Sequence, residues 1–127
     1  IKMKKIISTK EAPEAIGSYS QALLKNNTLY SSGQIAINPV TGDLIMDNIT
    51  NETNQVMENI KAILKAANMD FSNVVKSSIF MRNMENYSEI NKVYAGYFKE
   101  NPPAREAVEV SALPKNVNVE ISIIASH

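Results

Sequence analysis

The sequence predicts an α+β fold in which two helices pack on one face of a β-sheet. Two segments repeat apolar residues at helical spacing, and the remaining short apolar runs favour strands. Their order is strands, helix, strand, helix, strands, with no glycine-rich turn leading from a strand into a helix. This order favours a layered α+β domain over a doubly wound nucleotide-binding fold.

The length and composition predict a single domain covering residues 1–127. A chain of 127 residues is long enough for one core of ordinary size. Its content of 44% hydrophobic and 20% charged residues argues against disorder. The sequence contains no internal repeat, linker or low-complexity segment.

Three short strands are predicted before the first helix, over residues 4–8, 22–25 and 28–32. Asn26 and Asn27 separate the second strand from the third. Asparagine tolerates positive φ, so this pair predicts a two-residue hairpin turn.

The first helix is predicted over residues 54–67, where apolar residues recur every three or four positions and charged residues occupy the other face. Asn68 follows as a left-handed stop. The β-branched run over residues 74–81 predicts the next strand.

The second helix is predicted over residues 84–99, and Pro102-Pro103 prevents its continuation. Its apolar stripe is interpreted as core. Two further strands are predicted over residues 107–110 and 117–125. The residues of the helical stripe are Tyr87, Ile90, Tyr94, Tyr97 and Phe98.

The charge distribution makes a nucleic-acid partner unexpected. Thirteen basic residues balance thirteen acidic ones, and no basic run exceeds Lys4-Lys5. No apolar stretch is long enough for a membrane span, and no hydrophobic signal segment is present, so we expect a cytoplasmic protein without a membrane partner. Met3 fits a natural start, with Ile1 and Lys2 preceding it.

The sequence also lacks the side chains of several catalytic classes. There is no cysteine, and the single histidine is the terminal His127. Thiolate chemistry, zinc–thiolate sites and catalysis by a positioned imidazole are therefore not expected. No EF-hand loop, HExxH motif or carboxylate-rich helical pair is present, so a metal site built from Asp and Glu is only a minor alternative.

The last predicted strand alternates apolar and polar residues, so Glu120 should face away from the helices. If another subunit covers that face, Glu120 lies in a partly dry pocket. If the face is wet, Glu120 is an ordinary surface carboxylate.

The two arginines of the chain differ in their surroundings. Arg105 begins an extended run after Pro103-Ala104 and suits a carboxylate ligand, because its planar fork can donate two parallel hydrogen bonds. A structural salt bridge is the alternative. Arg82 ends a predicted strand and is interpreted as a solvated charge.

Four motifs in order resemble the RidA family, also called the YjgF/YER057c/UK114 family. The similarity runs from about Ile6 to Ala125. Each motif is weak alone, but four at suitable intervals are specific. The motifs are residues 12–22 (APEAIGSYSQA), residues 32–35 (SGQI), residues 59–64 (NIKAIL) and residues 103–105 (PAR) continuing to Glu120.

This resemblance implies a chorismate-mutase-like fold with a mixed β-sheet. It also implies a homotrimer with a central barrel of sheets and ligand clefts between neighbouring subunits. In the deaminase branch of the family, these clefts hydrolyse 2-imino acids such as 2-iminobutanoate and 2-iminopropanoate to 2-oxo acids and ammonia. The implied activity needs no cofactor and no metal.

The resemblance also implies roles for individual residues. Arg105 matches the arginine that holds the substrate carboxylate, and Glu120 matches the acid associated with the hydrolytic water. At position 107 the family uses the backbone carbonyl towards the imine nitrogen, so Ala107 can replace the cysteine that is frequent there. The residues matching the remaining cleft positions are Tyr19, Ser32 and Asn91.

Two departures from the family pattern affect the expected pocket. Ser18 stands where proline is frequent, and Pro102-Pro103 form a shortened approach to Ala104. The second departure puts the preferred substrate size in doubt.

Other functions remain open at this stage, because the family also carries other labels. One alternative is a regulatory protein that binds a small carboxylate, such as a 2-oxo acid, without turnover. Another is RNA cleavage or inhibition of translation, which the balanced charge and the lack of an internal histidine disfavour.

Overall fold

The computed structural model describes residues 3–127, so the expectation about Ile1 and Lys2 lies outside the described residues. Six strands form one sheet. In chain order they are β1 (Lys5–Ile7), β2 (Ala22–Lys25), β3 (Thr28–Ser31), β4 (Val74–Met81), β5 (Ala104–Glu109) and β6 (Val119–Ser126). Their order across the sheet is β1-β2-β3-β6-β4-β5, so β6 lies near the centre.

The sheet is mixed, as predicted. β4 and β5 run parallel, whereas all other neighbouring strands are antiparallel. A parallel pair needs a crossover connection, and the second helix, α2 (Tyr87–Ala95), provides it. The predicted α+β class is confirmed.

The first helix, α1 (Ile49–Ala66), begins earlier than the predicted residue 54. Asn48 caps it, because its side-chain oxygen accepts a hydrogen bond of 2.8 Å from the backbone N–H of Asn51. Apart from Ile49, the first turn is polar, so apolar spacing did not reveal it. The predicted left-handed stop is confirmed by a φ of 58° at Asn68.

The second helix is shorter than the predicted span of residues 84–99. Met84–Asn86 form a separate 3-10 turn, and α2 ends at Ala95. The chain then turns so that Tyr97 and Phe98 both pack on Phe71, with ring centroids 5.1 and 5.3 Å away. These aromatic contacts stabilise the turn in place of further helix.

The bounds of the last two strands also differ from the prediction. β5 begins at Ala104 instead of residue 107, because parallel pairing with β4 extends through Arg105 and Glu106. Tertiary pairing overrides the low strand propensity of these charged residues. β6 begins at Val119 instead of residue 117 and runs one residue further, to Ser126.

The core lies between the helices and one face of the sheet. In β6 the odd-numbered residues are buried and the even-numbered ones are half-buried, which confirms the predicted alternation. The start of β6 is tied to α1, because both carboxylate oxygens of the buried Glu52 accept hydrogen bonds of 2.8 Å from Asn118. Fully buried core residues include Leu29, Val56, Ile60, Ile79 and Ile121.

No helix of residues 3–127 combines the length and the apolar character that crossing a membrane would require.

The turn between β2 and β3 generates a stability prediction. Asn26 and Asn27 have φ values of 51° and 64°, as the two-residue turn requires. Replacing Asn27 with alanine should lower the free energy of unfolding by about 1 kcal/mol, because the short polar side chain of asparagine offsets the strain of this region by local hydrogen bonding and alanine cannot. Asn27→Gly should preserve or raise stability. Denaturant unfolding of both variants checks this, and equal losses would contradict it.

Candidate functional site

The predicted site residues fall into two groups on opposite faces of the sheet. Arg105 is in register with Ser77 of β4, which is fully buried and accepts a hydrogen bond from Tyr94 of α2. Arg105 therefore shares the helical face. Glu120 lies between Val119 and Ile121, whose side chains are buried on that face, so Glu120 projects to the other face.

We call these two sets the arginine group and the glutamate group. The arginine group is Arg105, Asn91 and Ala107. The glutamate group is Glu120, Tyr19 and Ser32. A single chain brings together the members within the glutamate group, but it does not bring the two groups together.

The half-buried guanidinium of Arg105 is held by α2. Its Nη1 donates to Asn91 Oδ1 at 2.6 Å, and its Nη2 donates to the hydroxyl oxygen of Tyr87 at 2.6 Å. The Cζ atom also lies 5.6 Å from the ring centroid of Tyr87 and 5.1 Å from that of Tyr94. Two hydrogen bonds and two rings therefore fix the group.

The partners of Arg105 within residues 3–127 are neutral. The ion pairs of this part of the chain are Lys65–Glu11 and Lys76–Glu106, and neither involves Arg105. The alternative of a structural salt bridge therefore finds no support in the described residues. A half-buried cation with neutral partners retains an electrostatic preference for an anion.

The backbone of Ala107 faces the open edge of the sheet. The N–H of Val110 donates to the carbonyl of Met81 in β4 at 2.8 Å, and backbone groups alternate sides along a strand. The N–H and C=O of residue 107 therefore point away from β4. Since β5 is the last strand of the sheet, the Ala107 carbonyl is unpaired with another strand of the described chain.

The glutamate group lines a cavity of about 750 Å³. Glu120, Ser32 and Tyr19 all contribute to its wall, together with Gly33. None of the arginine group does. The apolar part of the lining is formed by Pro13, Ile16, Ile35, Ile37, Pro39 and Pro114.

The carboxylate of Glu120 occupies the space that a side chain at position 33 would fill. A Cβ at position 33 would lie 2.5 Å from Glu120 Oε2 and 2.7 Å from Cδ, which is closer than real contacts allow. Burial raises the pKa of the Glu120 carboxyl above 4.5, because the charged form loses hydration. A carboxylate with a raised pKa is a better proton acceptor from water.

Ser32 and Tyr19 differ in how firmly they are placed. The hydroxyl of Ser32 donates to the backbone carbonyl of Ser20, and its backbone N–H donates to the carbonyl of Gln21 at 2.9 Å. Ser32 therefore ties the end of β3 to the segment that precedes β2, while still lining the cavity. Tyr19 is 51% exposed at the cavity wall, which leaves its ring accessible.

Sequence reasoning missed three residues of the site. Tyr87 and Tyr94 were assigned to the core, and Tyr94 is buried there with Tyr87 packed against it, but the contact of both rings with the guanidinium of Arg105 was not predicted. They lie four residues before and three residues after Asn91, so helical spacing could have linked them to it. Gly33 belongs to the SGQI motif, but nothing else in the sequence indicated that Glu120 approaches it closely.

Among residues 3–127, no cluster of three or more His, Cys, Asp or Glu side chains could hold a metal ion. The charged side chains at the two groups are the guanidinium of Arg105 and, on the cavity wall, the carboxyls of Glu120 and Glu14 and the amine of Lys115.

Residues 9–127 match the family model described as Endoribonuclease L-PSP. The chain belongs to this family. The family is the RidA/YjgF family, so the predicted membership is confirmed.

Relatives of this L-PSP chain match it over nearly its whole length. The human 2-iminobutanoate/2-iminopropanoate deaminase is 44% identical over 97% of the chain and 90% of its own length. The Rid-family protein YyfA from Yersinia pestis superposes with a TM-score of 0.96, at 52% identity over 98% of this chain and 100% of that one. TdcF from E. coli with bound serine has a TM-score of 0.93, at 35% identity over 97% and 98% of the two chains.

The raised pKa of Glu120 generates a second stability prediction. The unfolded chain releases this proton near pH 4.5, and the folded chain releases it at higher pH. Wild-type stability should therefore fall as pH rises from about 4.5 through the folded-state pKa. Glu120→Gln removes this penalty, so its melting temperature should exceed that of the wild type at about pH 7 and converge with it below about pH 4.

Thermal unfolding across that pH range measures this difference, with Glu100→Gln as the control at an exposed position. A difference in melting temperature that is constant with pH would show that Glu120 carries no burial penalty.

Proposed function

We propose that this protein hydrolyses 2-imino acids, such as 2-iminobutanoate and 2-iminopropanoate, to 2-oxo acids and ammonia. The observation that carries the proposal is the half-buried Arg105, which has only neutral hydrogen-bond partners. Its guanidinium has five N–H donors, of which two are used, so three remain for a ligand carboxylate.

The proposed site combines the arginine group of one chain with the glutamate group of a second copy. One chain holds the two groups on opposite faces of its sheet, so each group needs a partner from elsewhere. We propose a homotrimer in which three such sites lie between neighbouring subunits. The sheet face opposite the helices supports this assembly, because it exposes the apolar side chains of Ile6, Tyr30 and Val108.

The reaction needs positioning and one proton carrier. Arg105 holds the substrate carboxylate, and the Ala107 carbonyl accepts a hydrogen bond from the protonated imine nitrogen. Glu120 takes a proton from water as the water oxygen bonds to C2, and the C=N π electrons move to nitrogen. Glu120 then returns this proton to the nitrogen and the C–N bond breaks, so that ammonia leaves. The C2 hydroxyl gives its proton to the regenerated Glu120 carboxylate as it becomes a carbonyl, and ammonia takes that proton away as ammonium.

This scheme uses no group that the chain lacks. A protonated imine is already electrophilic, so a carboxylate with a raised pKa can suffice as the base. The human relative is named for this reaction. The serine bound to TdcF is a small amino acid, which is consistent with a ligand carboxylate in this family.

The activity is tested by generating the imine with an amino-acid oxidase or a dehydratase and following release of the 2-oxo acid. We expect this protein to accelerate release over a buffer control. In parallel, calorimetry measures whether the protein binds 2-oxobutanoate. Binding without any acceleration, for several side-chain sizes, would replace the proposed enzyme by a carboxylate-binding protein.

Two substitutions separate the proposed roles of the charged residues. Arg105→Lys keeps the charge but loses the planar fork, so kcat/KM should fall by about 2–4 kcal/mol of transition-state stabilisation. Glu120→Gln should keep 2-oxobutanoate binding and lose turnover, because the amide cannot accept the proton. Near-wild-type turnover in both folded variants would refute these assignments.

Mixing these two variants tests whether the site is shared between chains. Each variant supplies the intact group that the other lacks, so a hybrid trimer contains some sites with both wild-type groups. Random mixing in equal amounts should restore about one quarter of wild-type activity, because each half-site is intact with a probability of about one half. Light scattering should give about three times the 14.0 kDa chain mass.

Activity that stays at the sum of the two parents after co-refolding would show that both groups of each site come from one chain. A monomer by light scattering would remove the basis for a shared site.

A further inference from the structure

The hydroxyl of Tyr87 is one of two groups that accept a hydrogen bond from the guanidinium of Arg105. It has no role in the proposed reaction. Tyr87 and Asn91 lie one helical turn apart on α2. Each accepts from a different terminal nitrogen of Arg105, at 2.6 Å in both cases. The two bonds together fix the position of the guanidinium plane and its rotation about the Nε–Cζ bond.

We infer that Tyr87 is a positioning residue for Arg105, with its hydroxyl orienting the guanidinium before a carboxylate arrives. The functional readout of this inference rests on the proposed function. A side chain that is already oriented loses less rotational freedom when it binds a ligand. Removing the hydroxyl should therefore weaken carboxylate binding while the chemical step remains intact.

The ring of Tyr87 cannot supply this orientation alone. A cation above an aromatic ring is attracted to its face, but that attraction does not select which N–H points where. Tyr94 provides the comparison within the same site. Its ring is 5.1 Å from the Arg105 Cζ, yet its hydroxyl donates to Ser77 and makes no hydrogen bond to the guanidinium. Among the described aromatic residues at Arg105, Tyr87 alone combines a ring contact with a hydrogen bond.

The geometry also leaves the proton of the Tyr87 hydroxyl uncommitted. The oxygen accepts from Arg105, and no hydrogen bond from this hydroxyl is made to any other group of residues 3–127. The substitution to phenylalanine therefore removes one polar contact and keeps the half-buried ring in place. A folding defect is not expected from such a change.

The first experiment compares Tyr87→Phe with the wild type in imine hydrolysis and in calorimetry with 2-oxobutanoate. We expect KM and Kd to rise about three- to tenfold, with kcat within about twofold of wild type. Tyr97→Phe is the matched control, because the Tyr97 hydroxyl bonds to Asn54 and Glu58 instead of Arg105. Unchanged KM and Kd in Tyr87→Phe would overturn the inference, as would a loss of kcat together with a lower melting temperature.

The second experiment reads the orientation of Arg105 directly by nitrogen-15 NMR. The chain has two arginines, and the exposed Arg82 serves as an internal reference, because its guanidinium makes only one hydrogen bond, of 3.3 Å, to the carbonyl of Asn116. Wild-type protein should show slow rotation about the Cζ–N bonds of Arg105, and Tyr87→Phe should show faster rotation, closer to that of Arg82, because the bond to Asn91 and the two ring contacts remain. Equal Arg105 rotation in the two proteins would overturn the inference.

The two experiments separate this inference from the proposed function. Wild-type protein that binds 2-oxobutanoate without hydrolysing imines would refute the proposed reaction, and the change in Kd would then decide the role of Tyr87. Wild-type protein that binds no carboxylate would refute the proposed site. The rotation rate of Arg105 would then decide the role of Tyr87.

Discussion

The alternation of side chains along β6 is the constraint on which the rest of the structure depends. This strand lies between β3 and β4, so it sets the orientation of both neighbours. Ile121 and Ile123 face the helices and form part of the core, and Glu120 must then face the opposite way. A register shift of one residue would bury the carboxylate and expose both isoleucines. The burial energy of the core therefore holds Glu120 in the cavity.

The same constraint keeps the two opposite charges apart within one chain. Arg105 follows the orientation of Ser77 in β4 and reaches the helical face. On a shared face, Arg105 and Glu120 could form an ion pair, which would occupy the guanidinium donors and lower the pKa of the carboxyl. The sheet separates them, and neither residue takes part in the ion pairs of residues 3–127. The proposed carboxylate binding by Arg105 and proton transfer by Glu120 both require this separation.

Local patterns in the sequence predicted most of the fold and the position of Glu120. The β2–β3 turn and β4 could be predicted because their signals lie within a few residues. The start of β5 could not, since Arg105 and Glu106 become a strand only through pairing with β4. Likewise, the buried Glu52 is satisfied by Asn118, 66 residues away along the chain. The hydroxyl of Tyr87 was hidden in an apolar stripe, because a helical pattern does not distinguish tyrosine in a core from tyrosine at a charge.

The charged composition of β5 has a consequence for the open edge of the sheet. A strand with one unpaired edge is a template for the addition of another strand, which leads to aggregation. Three of its six residues, Arg105, Glu106 and Glu109, are charged, and such residues oppose the approach of a second strand. These charged side chains do not oppose the approach of a small molecule with a single positive nitrogen. The features that make β5 difficult to recognise as a strand thus disfavour strand addition at this edge and leave its backbone carbonyls open, as the proposed contact of Ala107 with the imine requires.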